Sequence, residues 1–388
     1  MINGFKKGSY GYDKYFLEKA GIETIELTDS STGGKILIAP SLQGRVMTSS
    51  CAGEGGASYG WINHKFIEER KTNPQFNPFG GEERLWLGPE GGPFSIYFKQ
   101  NDDQVFANWK VPVALDTEDF TLVNESGSSA EFSRSFSLVN ASGTALNIKV
   151  DRLLKILGKT EVENALGLIL GDSLRFVAYE SLNTLQNTGN KPWDKTSGAL
   201  SIWMLSMFNP SENGIIIIPY KQGDEVTLGK TVTDDYFGKV PAERLIVDTN
   251  AIFFKADGKL RSKIGISAER SRSLAAGYDP YTKTLTVLWY KAPENHSGYV
   301  NSVWGKQLDP FMGDAINSYN DGPVDDGSIM GPFYEIESSS PAAFLAPDEK
   351  ISHIQKIFHL TGSEQDLDEV TVKLFGLTLK KITSVFKN

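Results

Sequence analysis

The chain of 388 residues has little of what most catalytic and binding motifs are built from: one cysteine, Cys51, and four histidines, His64, His296, His353 and His359. A single cysteine excludes an intrachain disulfide. With no second cysteine or histidine close to it in sequence, a thiolate metal cage is not expected, and Cys51 reads as a small buried side chain. Positive charge is also scarce, with 39 Lys and Arg against 48 Asp and Glu and a net charge of −9. Binding to a phosphate backbone depends on clustered cations, so nucleic acid is not an expected partner. No stretch approaches the roughly 18 apolar residues of a membrane-spanning helix, and the opening Met1 to Gly8 lacks the apolar core of a signal peptide. The expectation is a soluble chain, periplasmic or cytoplasmic, because an export segment can be removed. Gly53 to Gly56 lacks the Gly-Lys-Ser/Thr ending of a phosphate loop, and no strand-to-helix nucleotide fingerprint occurs, so neither a nucleotide nor a redox cofactor is expected.

What is present is a globular composition, 40% hydrophobic and 22% charged, enough for a large core under a polar surface. β-rich runs recur between turn signals: 22–27, 35–38, 94–98, 120–123, 130–138, 146–157, 173–179, 200–207, 214–220, 245–254, 284–290, 333–338 and 351–360. So many strands need a sandwich or barrel to cover their faces. Helical periodicity emerges only near the end, where Ser363 caps a segment carrying Leu367, Val370 and Leu374, followed by Leu379, Ile382, Val385 and Phe386. The organisation expected is a β domain over 1–362 with a helical appendage over 363–388. A run of turn formers at Asn187 to Pro192 marks a hairpin-like connection rather than a firm boundary.

Two constellations carry the polar chemistry. Between Ser50 and Pro93 stand nine glycines, interleaved with Tyr59, Trp61, His64, Arg84, Trp86 and Glu90. Indole faces can cover the C–H faces of a sugar while Arg and Glu fix its hydroxyls, so Trp61, Arg84, Trp86 and Glu90 are candidate binding groups. The structural alternative is that Trp61 and Trp86 seal a sandwich end and Arg84 pairs with Glu82, Glu83 or Glu90. The second constellation is Gly331 to Ser338. Strand alternation there puts Phe333, Glu335 and Glu337 on one face, with the two glutamate Cα atoms about 7 Å apart. Mutual repulsion could keep one protonated as an acid and leave the other as a base; the alternative is the solvated side of an edge strand. His64 is a candidate proton donor. His353 and His359 on one straight strand would lie about 20 Å apart, too far for one metal ion, and no metal site is expected. Asn317 to Pro323 reads as a turn that could line a sugar pocket, with Asn320 a candidate contact, or hold Ca²⁺, although it does not match the oxygen spacing of an EF-hand loop.

Gly80 to Glu90, Tyr334 to Ser338, and Leu345 to Glu349 leading to His353 together resemble Bacteroides-type bacterial relatives of the galactose mutarotase-like (aldose 1-epimerase-like) superfamily, from about Gly8 to the C-terminus. The resemblance implies an all-β, large antiparallel β supersandwich with a carbohydrate-binding concave face. It also implies an epimerase-like or lyase-like activity, or carbohydrate binding without turnover. In aldose 1-epimerases a late-strand glutamate takes the anomeric hydroxyl proton and a histidine donates to the ring oxygen; by resemblance Glu337 is the base, with Glu335 or His64 as acid. The family's early Asn-x-x-x-Arg-Ile type motif and its pair of central histidines are not evident here.

Overall fold

The computed structural model describes residues 1–324 and 327–387. In chain order its strands are β1 (Ile25–Thr28), β2 (Lys35–Ala39), β3 (Arg45–Ser50), β4 (Arg84–Gly88), β5 (Thr121–Glu125), β6 (Ser129–Val139), β7 (Ala145–Ile156), β8 (Arg175–Asn187), β9 (Ser201–Phe208), β10 (Ile215–Pro219), β11 (Leu245–Val247), β12 (Ala251–Lys255), β13 (Ser262–Ser267), β14 (Leu274–Asp279), β15 (Thr284–Tyr290), β16 (Asp314–Asn320), β17 (Tyr334–Ser339) and β18 (Lys350–Thr361). The helices are α1 (Tyr10–Ala20), α2 (His64–Glu69), α3 (Val113–Asp116), α4 (Lys159–Leu166), α5 (Glu225–Leu228), α6 (Glu364–Phe375) and α7 (Leu379–Ser384).

The strands form a large antiparallel β supersandwich, as the resemblance implied; the strand count had left a sandwich or a barrel open. One sheet has ten strands in the order β11-β12-β10-β14-β15-β18-β8-β7-β6-β5, a second has five in the order β13-β16-β17-β9-β4, and a third has β1-β2-β3. Alternation sorts the apolar side chains. Along β8, Val177, Tyr179 and Leu185 point into the core between sheets, while Phe176 and Ala178 join an outer cluster with Leu367, Val370, Leu379 and Ile382 of α6 and α7. Ser363 caps α6 through the Asp366 amide, and Gly376 ends it in the left-handed conformation that glycine adopts without strain. Among the described residues no helix is long and apolar enough to cross a membrane.

Three local expectations are corrected. Phe94 to Phe98 is not a strand: the Ser95 and Ile96 amides bond back to Gly92 and Pro89 and the Tyr97 amide to the Ser95 hydroxyl, so the aromatic run enters the core from a series of bends. The run 245–254 is a hairpin, broken where the Asp248 amide bonds Ala251 across a turn of Asp, Thr and Asn. A long helix also stands near the N-terminus: α1, capped by Ser9 and stopped by Gly21, covers the outer face of the three-stranded sheet with Tyr10, Phe16 and Leu17 against Leu37 and Met47.

The core between sheets holds ions as well as hydrocarbon. Glu83 and Arg152, both fully buried, meet at 2.7 Å, and Glu83 also accepts from Ser181 and Gln355. Removing one partner strands the other charge in a dry interior. Arg152→Ala is therefore expected to cost about 3–5 kcal/mol in denaturant unfolding, and the double change Glu83→Leu with Arg152→Met to recover most of that loss.

Candidate functional site

The five-stranded sheet has one face against the core and one face free to build a site, and the pairing register says which side chains share the free face. Lys263 of β13 lies opposite Tyr319 of β16, Tyr319 opposite Glu335 of β17, and Asn317 opposite Glu337. Glu337 in turn lies opposite Leu205 of β9, Ser339 opposite Trp203, and Trp203 opposite Trp86 of β4. Directly paired residues in an antiparallel sheet point the same way, so Lys263, Asn317, Tyr319, Glu335, Glu337, Trp203, Arg84 and Trp86 occupy one face. Ile264, Ile316, Ile336 and Met204 fall on the other face and pack into the core.

Above part of this face is a cavity of about 620 Å³. Its polar lining includes Glu90, Arg261, Lys263, Asp314, Asn317 and Asp321, and its aromatic lining includes Trp203, Tyr236, Tyr319 and Trp304. That volume and mixture suit a small organic ligand. Glu337 does not itself line the cavity: 1% exposed, it lies behind Lys263 and Trp203, which do. Its Oε2 accepts from Lys263 Nζ at 2.9 Å and from Trp203 Nε1 at 2.8 Å, whereas its Oε1 has no protein partner among the described residues. Burial works against the Lys263 charge, but Glu337, Glu90 and Glu335 outweigh it and hold the ammonium above its usual range. The ammonium also sits 4.9 Å from the centre of the Trp203 ring.

Beside this pair, Asp314 Oδ2 accepts from the Tyr236 hydroxyl at 2.6 Å, and that hydroxyl accepts from Asn317 Nδ2 at 3.1 Å. The space for the Asp314 carboxyl exists because the neighbouring strand carries Gly265. A Cβ there would stand 2.0 Å from Asp314 Oδ2 and 2.7 Å from Asn317 Nδ2. Glycine inside a strand marks a close approach of this kind. Burial raises Asp314 to about 6 against the Tyr236 hydrogen bond, and burial likewise raises Glu90, opposed by Lys263.

The structure distributes the sequence candidates unevenly. Glu335 and Glu337 share a face on a central strand, not on a solvated edge. Glu335, however, is held by Arg84 at 3.0 Å; burial raises its carboxyl, Arg84 opposes that and Glu337 adds to it. Arg84 therefore pairs across the sheet with Glu335, and not with Glu82, Glu83 or Glu90; its guanidinium lies over the Trp86 ring at 4.2 Å. Neither Arg84 nor Trp86 lines the cavity: Trp86 is buried, donates to the Leu115 carbonyl and packs against Phe76, Tyr97 and Trp203. Glu90 does line it. Trp61 covers the end of the same face, its ring tilted against Phe333 at 4.7 Å and packed with Met207 and Tyr319.

His64 is placed elsewhere. At the start of α2 its Nε2 meets Asp13 of α1 at 2.6 Å, and its ring packs edge-on against Phe16, so it ties two helices together outside the cavity lining. The segment read as a turn at Asn317 to Pro323 is largely strand β16. Its Asn320 points to the opposite face from Tyr319, where it accepts from the Gly258 amide and donates to the Leu260 carbonyl. His353 and His359 face the core from β18, bonded to Ser338 and to Glu82 and Thr286. Among the described residues no cluster of three or more His, Cys, Asp or Glu could hold a metal ion.

The cavity residues that sequence reading passed over are Lys263, Asp314, Tyr236, Trp203 and Trp304. For Lys263 a signal existed: in Ser262 to Ser267, Ile264 and Ile266 alternate against Lys263 and Gly265, a strand pattern with one polar face. Trp203 lay on an expected strand, but nothing local marks which strand it pairs with.

No curated protein matches the sequence. In fold the chain is similar to the Slr1438 protein of Synechocystis sp. PCC 6803, with 11% identity and a TM-score of 0.51 over 88% of this chain and 96% of that one. It is similar at lower scores to a candidate aldose 1-epimerase of Escherichia coli K12 (12% identity, TM-score 0.49, 88% and 100% covered). A galactose mutarotase-like protein of Lactobacillus casei ATCC 334 gives 11% identity and a TM-score of 0.47, with 87% and 100% covered. A sequence family matches residues 8–386, nearly the whole chain, and on that match the chain belongs to DUF6786, a family of unknown function.

Proposed function

We propose that the cavity binds a carbohydrate and transfers protons on it in an epimerase-like reaction, with Glu337 as the base and Asp314 as the acid. The observation that carries this reading is the state of Glu337. One carboxylate oxygen is fixed by Lys263 and Trp203, which line an aromatic-walled cavity, and the other is buried directly behind them without a protein donor among the described residues. A buried acceptor left unmatched is costly, and a sugar hydroxyl is the kind of donor that satisfies it. Lys263 keeps the carboxylate anchored beside the ligand, as a base needs. No histidine lines the cavity among the described residues, whereas the carboxyls of Glu90, Asp314 and Asp321 do. Asp314 fits the role of proton donor better than Glu335 or His64, because it lines the cavity, is oriented by Tyr236 and retains its proton to a higher pH than an ordinary aspartate. The aromatic walls supply faces for the C–H side of a pyranose ring.

The alternative, carbohydrate binding without turnover, draws on one observation: both strand carboxylates are matched by cations, Glu335 by Arg84 and Glu337 by Lys263.

Polarimetry on a panel of free aldoses separates the two. Under the epimerase reading the protein accelerates mutarotation of at least one sugar, and Glu337→Gln lowers that rate about 100-fold or more while calorimetric affinity stays within a few-fold. Saturable binding without acceleration leaves the binding reading, and neither binding nor acceleration removes the carbohydrate. The elevated Asp314 pKa gives a separate test. A carboxyl raised from 3.8 to about 6 on folding contributes stability that is fully present below pH 3.8 and lost as the pH rises through about 6. The stability of Asp314→Asn relative to the natural protein should therefore climb between about pH 4 and pH 6 and level off above, as read by urea unfolding at a series of pH values.

A further inference from the structure

The cavity changes character from base to mouth. Its polar groups gather at the base, on Lys263, Asn317, Asp314 and Tyr236, with Glu337 behind them. The mouth is largely apolar: Phe106, Phe237, Val303, Val324, Ile329 and Met330 all line the cavity and all six are exposed, with Arg261 and Ser328 the polar side chains among them. Exposed apolar groups scattered singly are ordinary, but six gathered at the opening of one polar-floored cavity form a surface that a ligand covers. Two aromatic groupings stiffen it. Phe106 stacks on Trp109 at 5.9 Å, which stacks on Trp304 at 6.4 Å, and Phe237 lies beneath the Arg261 guanidinium at 3.9 Å with its edge to Tyr319.

Resting on the carbohydrate reading and deepening it, we infer that the ligand is an amphipathic saccharide: a sugar whose hydroxyls meet the base of the cavity and which carries an aryl-sized apolar substituent held at the mouth by Phe106, Trp304 and Phe237. A second sugar ring is a poorer occupant. Its hydroxyls need hydrogen-bond partners, and six apolar side chains there offer none against the two polar ones, Arg261 and Ser328, whereas a bare monosaccharide at the base leaves the apolar groups in water. For an anomeric interconversion the substituent is attached through an oxygen other than the anomeric one, and it takes no part in the chemistry.

The test is isothermal calorimetry of matched probes in several sugar configurations: methyl glycosides, benzyl glycosides, 6-O-benzyl aldoses and benzyl alcohol. The expected result is that one benzyl-bearing probe binds at least about tenfold tighter than its methyl or unsubstituted counterpart. That gain should disappear in Phe106→Ser and shrink in Ile329→Ser. Both positions are open, 63% and 49% exposed, so these variants leave the core intact, and unchanged thermal unfolding verifies it. Equal affinity of benzyl and methyl probes overturns the amphipathic ligand and leaves the carbohydrate reading standing. Benzyl alcohol binding as tightly as the benzyl sugars, or no probe binding at all, overturns both.

Discussion

Three consecutive side chains, Glu82, Glu83 and Arg84, reach three separate strands, and the arrangement of the sheets depends on them. Glu82 accepts from His359 of β18 at 2.9 Å, Glu83 from Arg152 of β7 at 2.7 Å, and Arg84 donates to Glu335 of β17 at 3.0 Å. All six groups are buried. The first two contacts go to the ten-stranded sheet and the third stays within the five-stranded sheet, so one short segment fixes the two large layers relative to each other. Buried ion pairs and hydrogen bonds add little net stability, but they tolerate few alternatives: each displaced partner leaves an unmatched charge or hydrogen-bonding group in a medium that cannot satisfy it. Hydrophobic packing alone would permit a sheet to slide; these contacts specify one position. The chain reaches them through Gly80 and Gly81, both at positive φ, where a Cβ would meet the Trp61 carbonyl and the Arg45 side chain.

The same ionic logic shapes the cavity. Across the free face of the five-stranded sheet, Arg84 neutralises Glu335 and Lys263 neutralises Glu337, so two carboxylates two residues apart coexist without repelling each other into a disordered arrangement. The pairs differ in what surrounds them. Arg84 and Glu335 are covered by Phe76 and Trp86 and serve as structure, whereas Lys263 opens onto the cavity. A polar base beneath an apolar mouth follows from the elements involved: strands β13 and β16 bring the charges on fixed backbone, and connecting segments bring Phe106, Phe237 and Ile329. A rigid sheet holds reacting groups in place more accurately than loops can, while loops vary to suit the outer part of a ligand.

Much of this was legible in the sequence, and the errors have physical causes. Alternation from Phe333 to Ser338 placed Glu335 and Glu337 together because side-chain direction in a strand is a local property. Asn317 to Asp321 misled because Asn, Asp and Ser favour turns in isolation, yet their amides and hydroxyls are satisfied inside β16 by neighbouring backbone. The alternation of Asn317, Tyr319 and Asp321, which all line the cavity, was the better guide. Trp86 and Arg84 have the composition of a sugar site and lie on the correct face, but aromatic cover from elsewhere in the chain buries them. His64 shows the same limit: a residue type suited to proton transfer is taken up by an aspartate in the preceding helix.

The sequence by itself determined the fold class, the common face of the two glutamates, and the absence of disulfide and nucleotide motifs, because period, composition and spacing are properties of contiguous residues. Only the tertiary structure decided which cation each glutamate meets, which tryptophans line the cavity, and that Asp314 has room for its carboxyl beside Gly265. Those contacts join residues up to 251 positions apart, as Arg84 and Glu335 are. They depend on strand order and register, which long-range packing sets and no local pattern encodes.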